Sequence, residues 1–80
     1  MVDEKLSRFL WKGLNLKRYE VVEIVPQNRT HAVIIMRHRD PNNPHWCLEY
    51  LGNGHYFDPV EQLVDYWHER KFKNLPSDIH

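Results

Sequence analysis

The stretch Tyr19-Glu-Val-Val-Glu-Ile-Val25, followed by Pro26-Gln27-Asn28-Arg29 and then by Thr30-His-Ala-Val-Ile-Ile-Met-Arg-His38, decides the fold. Its first part is β-branched and aromatic and lies between Lys17-Arg18 and the turn-forming Pro26-Gln27-Asn28, which predicts a first strand over Tyr19–Val25. Its second part predicts a strand over Thr30–His38, and the unbroken apolar run Ala32–Met36 marks that strand as covered on both faces or central in its sheet. Further along, Asp40-Pro41-Asn42-Asn43-Pro44 has prolines that cannot donate to a ladder and is otherwise rich in turn formers, so it reads as a surface loop. A third strand is expected over His45–Leu51. Alternation sends Trp46, Leu48 and Tyr50 to one face and Cys47, Glu49 and Leu51 to the other. Gly52-Asn53-Gly54 then reads as a strand breaker, with His55-Tyr56-Phe57 leading straight into a helix.

That helix has a legible start. Asp58 is placed as an N-cap, Pro59 at the first helical position, and Glu61 where it can return a hydrogen bond to the cap. Val60, Leu63, Val64 and Trp67 fall on one face, opposite Glu61, Asp65, Glu69 and Arg70. Arg70, Lys71 and Lys73 complement the negative end of the helix dipole, Pro76 prevents continuation, and residues 74–80 are expected to fray. At the other end of the chain, Leu6, Phe9, Leu10 and Leu14 repeat at helical spacing behind Asp3 and Glu4, predicting a short amphipathic helix over residues 3–14 that ends near Gly13. The expected fold class is α+β: a two-layer α-β-β-β-α arrangement with a three-stranded antiparallel sheet and two helices on one face.

Composition narrows the function. Eighty residues, 41% hydrophobic and 28% charged, make a single domain over residues 1–80, too small for a spacious interior cofactor cavity beside a full core. A chain of this length buries only about 60–65% of its unfolded surface, so any site should be superficial. Eleven Lys+Arg balance eleven Asp+Glu, which removes the general attraction of most nucleic-acid binders and argues against direct nucleic-acid binding, a local basic patch aside. The single Cys47 excludes an internal disulfide framework and a multi-cysteine zinc site, and with no apolar leader core near the start the expected location is the cytoplasm. Ala32–Met36 is far short of the roughly 20 apolar residues that span a bilayer, so no membrane partner is expected.

Six histidines, at 31, 38, 45, 55, 68 and 80, share no metal-ligand spacing, and no metal or cofactor is expected. His45-Trp46 with Tyr56-Phe57-Asp58 is similar to the histidine and acid segment of adenain-like and SUMO-protease-like cysteine proteases, but no cysteine follows Asp58 to serve as nucleophile. Ile34-Ile35-Met36-Arg37 with Leu63-Val64-Asp65-Tyr66 looks like two pieces of an SH2 domain, a fold needing more strands than this chain can supply. The α-β-β-β-α order resembles the double-stranded-RNA-binding fold and its HicA-like mRNA interferase toxins. That resemblance implies a ribonuclease with His31 as general base and Arg29, Arg37 or Lys17 stabilising the phosphorane, though Arg29-Thr30 stands where the family has glycine-serine. The same order resembles, in layout alone, small phage-encoded anti-CRISPR proteins, and implies an inhibitor that works by occupying a partner's surface.

The leading expectation is a non-enzymatic protein-binding module. Three Trp, four Tyr and three Phe exceed what one sheet face and two helix faces readily bury, so an uncovered aromatic face flanked by charge is expected to dock a partner. The residues assigned to it are Arg37, Arg39, Trp46, Tyr50 and Tyr66. The expected partner is a protein, with a nucleoprotein complex of a host defence system among the candidates and burial in a homodimer as the bland alternative.

Overall fold

A computed structural model describes Glu4 and residues 6–79. Four strands, β1 (Tyr19–Pro26), β2 (Ala32–His38), β3 (Trp46–Tyr50) and β4 (Asn53–Phe57), form an antiparallel meander in the order β1-β2-β3-β4. One α-helix, α1 (Val60–Glu69), follows, and 3-10 turns occupy Ser7–Phe9 and Ser77–Ile79. The α+β class with an antiparallel sheet is as the sequence indicates; the count of strands and helices is not. No helix among the described residues is long and apolar enough to cross a membrane.

The additional strand comes from the glycine segment. Tyr50 pairs with Asn53, leaving Leu51 and Gly52 as a two-residue turn with φ values of 52° and 79°. Two consecutive positive φ angles match the right-handed twist of the flanking strands, so the segment reverses the chain instead of ending the sheet. Gly54 continues the strand, and its missing Cβ leaves room for Glu49, whose Oε2 lies 2.6 Å from where that carbon would stand.

The first predicted helix is corrected to a single 3-10 turn and a folded loop, with Asp3 lying outside the described residues. About twelve residues is marginal for a helix without extensive packing. Here Leu10 and Leu14 reach the sheet through an irregular path, while the Trp11 ring occupies the space that a Cβ on Gly13 would need. The segment covers the face opposite α1, so the two terminal segments sandwich the sheet rather than share one side.

Two cores result. On the α1 side Val25, Val33, Ile35, Leu48, Leu63, Trp67 and Ile79 are buried together; on the other Leu14, Tyr19, Ile34, Met36 and Cys47 are. All five residues of Ala32–Met36 are buried, as their unbroken apolar run required. A bulge between Val21 and Glu23 resets the alternation of β1, so that Ile24 pairs with Ile34 on one face while Val25 reaches the α1-side core. Each large side chain so buried contributes about 1.5–3 kcal/mol.

Both ends of α1 depart from expectation. Pro59, not Asp58, is the N-cap; no side chain caps that end, and Gln62 N–H donates to Pro59 C=O at 3.1 Å. Proline's fixed φ and extended ψ suit the non-helical residue before the first turn, and Asp58 is left exposed outside it. At the other end Lys71 takes φ 60°, with Lys71 N–H donating to His68 C=O and Phe72 N–H to Trp67 C=O. These bonds define a Schellman motif, and its usual apolar contact is present as Phe72 against Trp67, ring centroids 5.3 Å apart. Residues 74–79, expected to fray, lead to Ile79, which is only 4% exposed in the α1-side core; His80 lies outside the described residues. The apolar isoleucine offsets the ordering of a proline-containing tail.

Leu51 is 58% exposed and held at positive φ, a conformation costing an L-residue with a branched side chain about 1–2 kcal/mol. Leu51→Asn should therefore stabilise the fold by about 1 kcal/mol, read as a rise of about 4–8 °C in Tm. An unchanged or lower Tm would show that the turn does not carry this strain.

Candidate functional site

Beside the C-terminal end of α1 the surface opens into a pocket of about 520 Å³. Four rings, Tyr50, His55, Tyr66 and Phe72, and three cations, Arg70, Lys71 and Lys73, line it together with the amides of Gln27, Asn28 and Asn53. Each arrives for a local reason. Tyr50 ends β3 on the same face as Trp46 and Leu48, and His55, paired with Leu48 across the ladder, points the same way. Tyr66 precedes the buried Trp67 and so lies at the margin of the apolar stripe of α1. The Schellman turn throws Phe72 back toward the sheet, where it meets Tyr50 edge-on at 5.0 Å.

The cationic rim is clamped. Gln27 Oε1 accepts from Lys73 N–H at 2.7 Å and Gln27 Nε2 donates to Lys73 C=O at 3.0 Å, tying the segment after α1 to the end of β1. Arg70 lays its guanidinium over Tyr66, 5.2 Å from the ring centroid, and His55 tilts against the same ring at 4.8 Å. No acidic side chain is among the lining residues. The charge balance of the whole chain thus conceals a local excess of positive charge on an aromatic floor.

The residues assigned to binding from the sequence divide into three places. Tyr50 and Tyr66 share this pocket. Arg37 instead pairs with Glu20 at 3.3 Å and lies 5.5 Å over the Trp46 ring, toward the other end of β2. Arg39 donates from Nε to Leu16 C=O at 3.1 Å and pins the N-terminal segment beside Lys17 and Arg18. The expected uncovered aromatic face is corrected: Trp46 and Tyr50 face the helix side, half-buried, because α1 and Phe72 cover it. His55, Arg70, Lys71, Phe72 and Lys73 escaped the sequence reading. For the last four the signal was the interleaved Arg70-Lys71-Phe72-Lys73, there explained by the helix dipole alone.

His31 sits in the turn before β2, its Nδ1 2.9 Å from the Thr30 hydroxyl and its N–H donating to Asn28 Oδ1 at 2.8 Å. Of the proposed phosphorane partners, Lys17 and Arg37 belong to the opposite end of the sheet, Arg37 being six residues along from His31, about 20 Å at 3.3 Å per residue, whereas Arg29 lies in the same turn as His31. Of the ribonuclease constellation only Arg29 stays beside His31.

A second cluster is structural. His45 donates from Nδ1 to Asn43 C=O at 3.0 Å, since a carbonyl can only accept; Nε2 therefore accepts the Tyr19 hydroxyl at 2.6 Å. His38 stacks on His45 at 4.6 Å and accepts from Asp40 N–H. Both nitrogens of His45 are occupied, and among the described residues no three His, Cys, Asp or Glu side chains converge as a metal site. Burial, and then the nearby Cys47 and Tyr56, raise the Tyr19 phenol above its ordinary range.

No protein-family model, curated protein or solved structure matches this chain.

Cys47 is buried, and burial, reinforced by Glu49, pushes its thiol up to about 12. The neutral thiol is a poor nucleophile and a poor metal ligand. The native protein should resist alkylation by iodoacetamide near pH 8 and react once unfolded in guanidinium; rapid native labelling, followed by mass spectrometry, would contradict this placement.

Glu49 is raised above the ordinary glutamate range by burial, with His55 pulling the other way, and its buried Oε1 has no hydrogen-bond partner. The folded state therefore holds this proton more tightly than the unfolded state, so stability present in acid is lost as pH rises past the ordinary glutamate value. Glu49→Gln should melt higher than the wild type near pH 7 and converge with it near pH 4. A variant less stable at neutral pH would show that the carboxylate is held by a favourable interaction.

Proposed function

We propose that this chain is a non-enzymatic binding module that acts by occupying a partner's surface, seating an anionic group of that partner in the Tyr50–Tyr66 pocket. The supporting observation is the lining itself: three cations and no acid above four aromatic rings. Rings supply contact area at little cost in side-chain entropy, and cations held beside a half-buried floor are screened less than freely solvated ones. The partner we propose is a protein, in the setting of a nucleoprotein complex, and the biological role an inhibitor of a defence complex of the CRISPR-Cas type. Support for that role is small size and the pocket's chemistry. The helix, three-strand, helix layout that suggested it is replaced here by four strands and one helix.

Thermal shift with a polyanion tests the reading, since a ligand bound to the folded state alone raises Tm. Polyglutamate and polyphosphate should each stabilise the wild type at low salt, and the double variant Arg70→Gln/Lys73→Gln should lose that response while keeping its unliganded Tm. Equal responses in wild type and variant, or none in either, would remove the pocket from the function.

A further inference from the structure

We infer that the pocket takes one nucleotide of a single-stranded nucleic acid, the base stacking on the aromatic floor and its phosphate meeting the cationic rim. This rests on the binding-module reading and departs from it in one point: the anionic group seated in the pocket belongs to the nucleic acid of the nucleoprotein complex and not to its protein.

Three features favour a nucleotide over an acidic peptide. First, the pocket joins two kinds of surface that a nucleotide joins in one molecule. Tyr50, His55, Tyr66 and Phe72 contribute rings and Arg70, Lys71 and Lys73 contribute cations to one lining, with Arg70 and His55 packed on the Tyr66 ring, so that a base would stack on this cluster beside the cations. A glutamate or aspartate side chain would use the rim and leave the floor uncovered; a base is flat, wide and attached to its own phosphate. Aromatic platforms beside a cationic track are the common means of holding single strands, and every base has a face to stack.

Second, the charge is local and small. Three cations suit one or two phosphates, and with eleven acids balancing eleven bases the chain offers no long track. The even net charge therefore argues against a duplex binder covering many phosphates, and not against a pocket that holds one unit. A base within a duplex hides both faces in the stack, so the floor selects unpaired nucleotides.

Third, the pieces are held in place before a ligand arrives. The Gln27 clamp fixes the backbone at Lys73, and the Schellman turn fixes Lys71 and Phe72. Arg70 already lies over Tyr66, where its guanidinium can meet a phosphate without leaving the ring. Pre-ordered groups lose little entropy on binding.

Equilibrium binding of the full chain to four probes tests this: a labelled oligothymidylate of about six nucleotides, adenosine monophosphate, adenosine, and polyglutamate. The oligonucleotide should bind, and the monophosphate should bind more tightly than adenosine. The salt dependence should be shallow, with a log–log slope near −0.7 per phosphate for one or two phosphates. Arg70→Gln, at an exposed position, and Tyr66→Leu should each weaken binding at least about fivefold, with Lys12→Gln, exposed and outside the pocket, unchanged. Circular dichroism melts check that Tyr66→Leu is folded, and Arg70→Gln keeps the test decisive if it is not. Preference for the free monophosphate over the oligonucleotide would assign the same chemistry to a free nucleotide. Binding of polyglutamate alone would overturn the nucleotide and keep the anionic pocket; binding of no probe would overturn both. Oligonucleotide binding indifferent to Arg70 and Tyr66 would place nucleic acid elsewhere on the chain.

Discussion

The burial of Trp67 is the interaction on which the α1 side of the molecule depends. A ten-residue helix is too short to cover a four-stranded sheet, and α1 lies over β3 and β4. Trp67, 1% exposed, fills the centre of that contact, and its carbonyl and ring then receive Phe72 through the Schellman turn. Cover is extended by Phe72, Leu75 and Ile79, a return path that a helix continuing past Arg70 would have carried into solvent. The indole Nε1 is buried without a partner, a cost the apolar contacts offset.

The pocket follows from that return. Because the chain doubles back at Lys71, cations suited to the end of a helix dipole are brought beside the rings of β3 and β4. The acids of α1 are left elsewhere: Glu61, Asp65 and Glu69 are exposed on the face of the helix that turns from the sheet. A chain of zero formal charge acquires a positive site by separation of its charges, not by excess. Left-handed backbone at Leu51 and Lys71 forms the two sharp reversals that border the pocket, which puts two of the three non-glycine positive-φ positions among the described residues at the candidate site, the third being Asn74.

The opposite face is organised differently. An irregular N-terminal segment covers it with Leu10 and Leu14, and a polar network of Tyr19, His38 and His45 fastens the loop between β2 and β3. Histidines that invited a metal reading serve there as paired acceptors and stacked rings. Arg39 serves likewise, through a bond to a backbone carbonyl that ties the segment to the sheet.

Much of the fold was legible in the sequence because its signals are local. Strands β1 to β3 and α1 lie within about two residues of where alternation, β-branching and the apolar stripe place them, since these patterns report which side chains must leave water. The unbroken run Ala32–Met36 revealed a strand covered on both faces without revealing what covers it. Three features were decided only by tertiary structure. Gly52 permits either a chain end or a hairpin, and the partners waiting on β3 selected the hairpin. The spacing of Leu10 and Leu14 fits a helix, but burying both against Met36 and Cys47 outweighs the hydrogen bonds of an isolated turn. Gln27 and Lys73, 46 residues apart, meet at one backbone position. No periodicity encodes such a meeting: the pocket arises where distant segments close on one another, so Tyr50 and Tyr66 could be singled out from the sequence, but their cationic neighbours could not be joined to them.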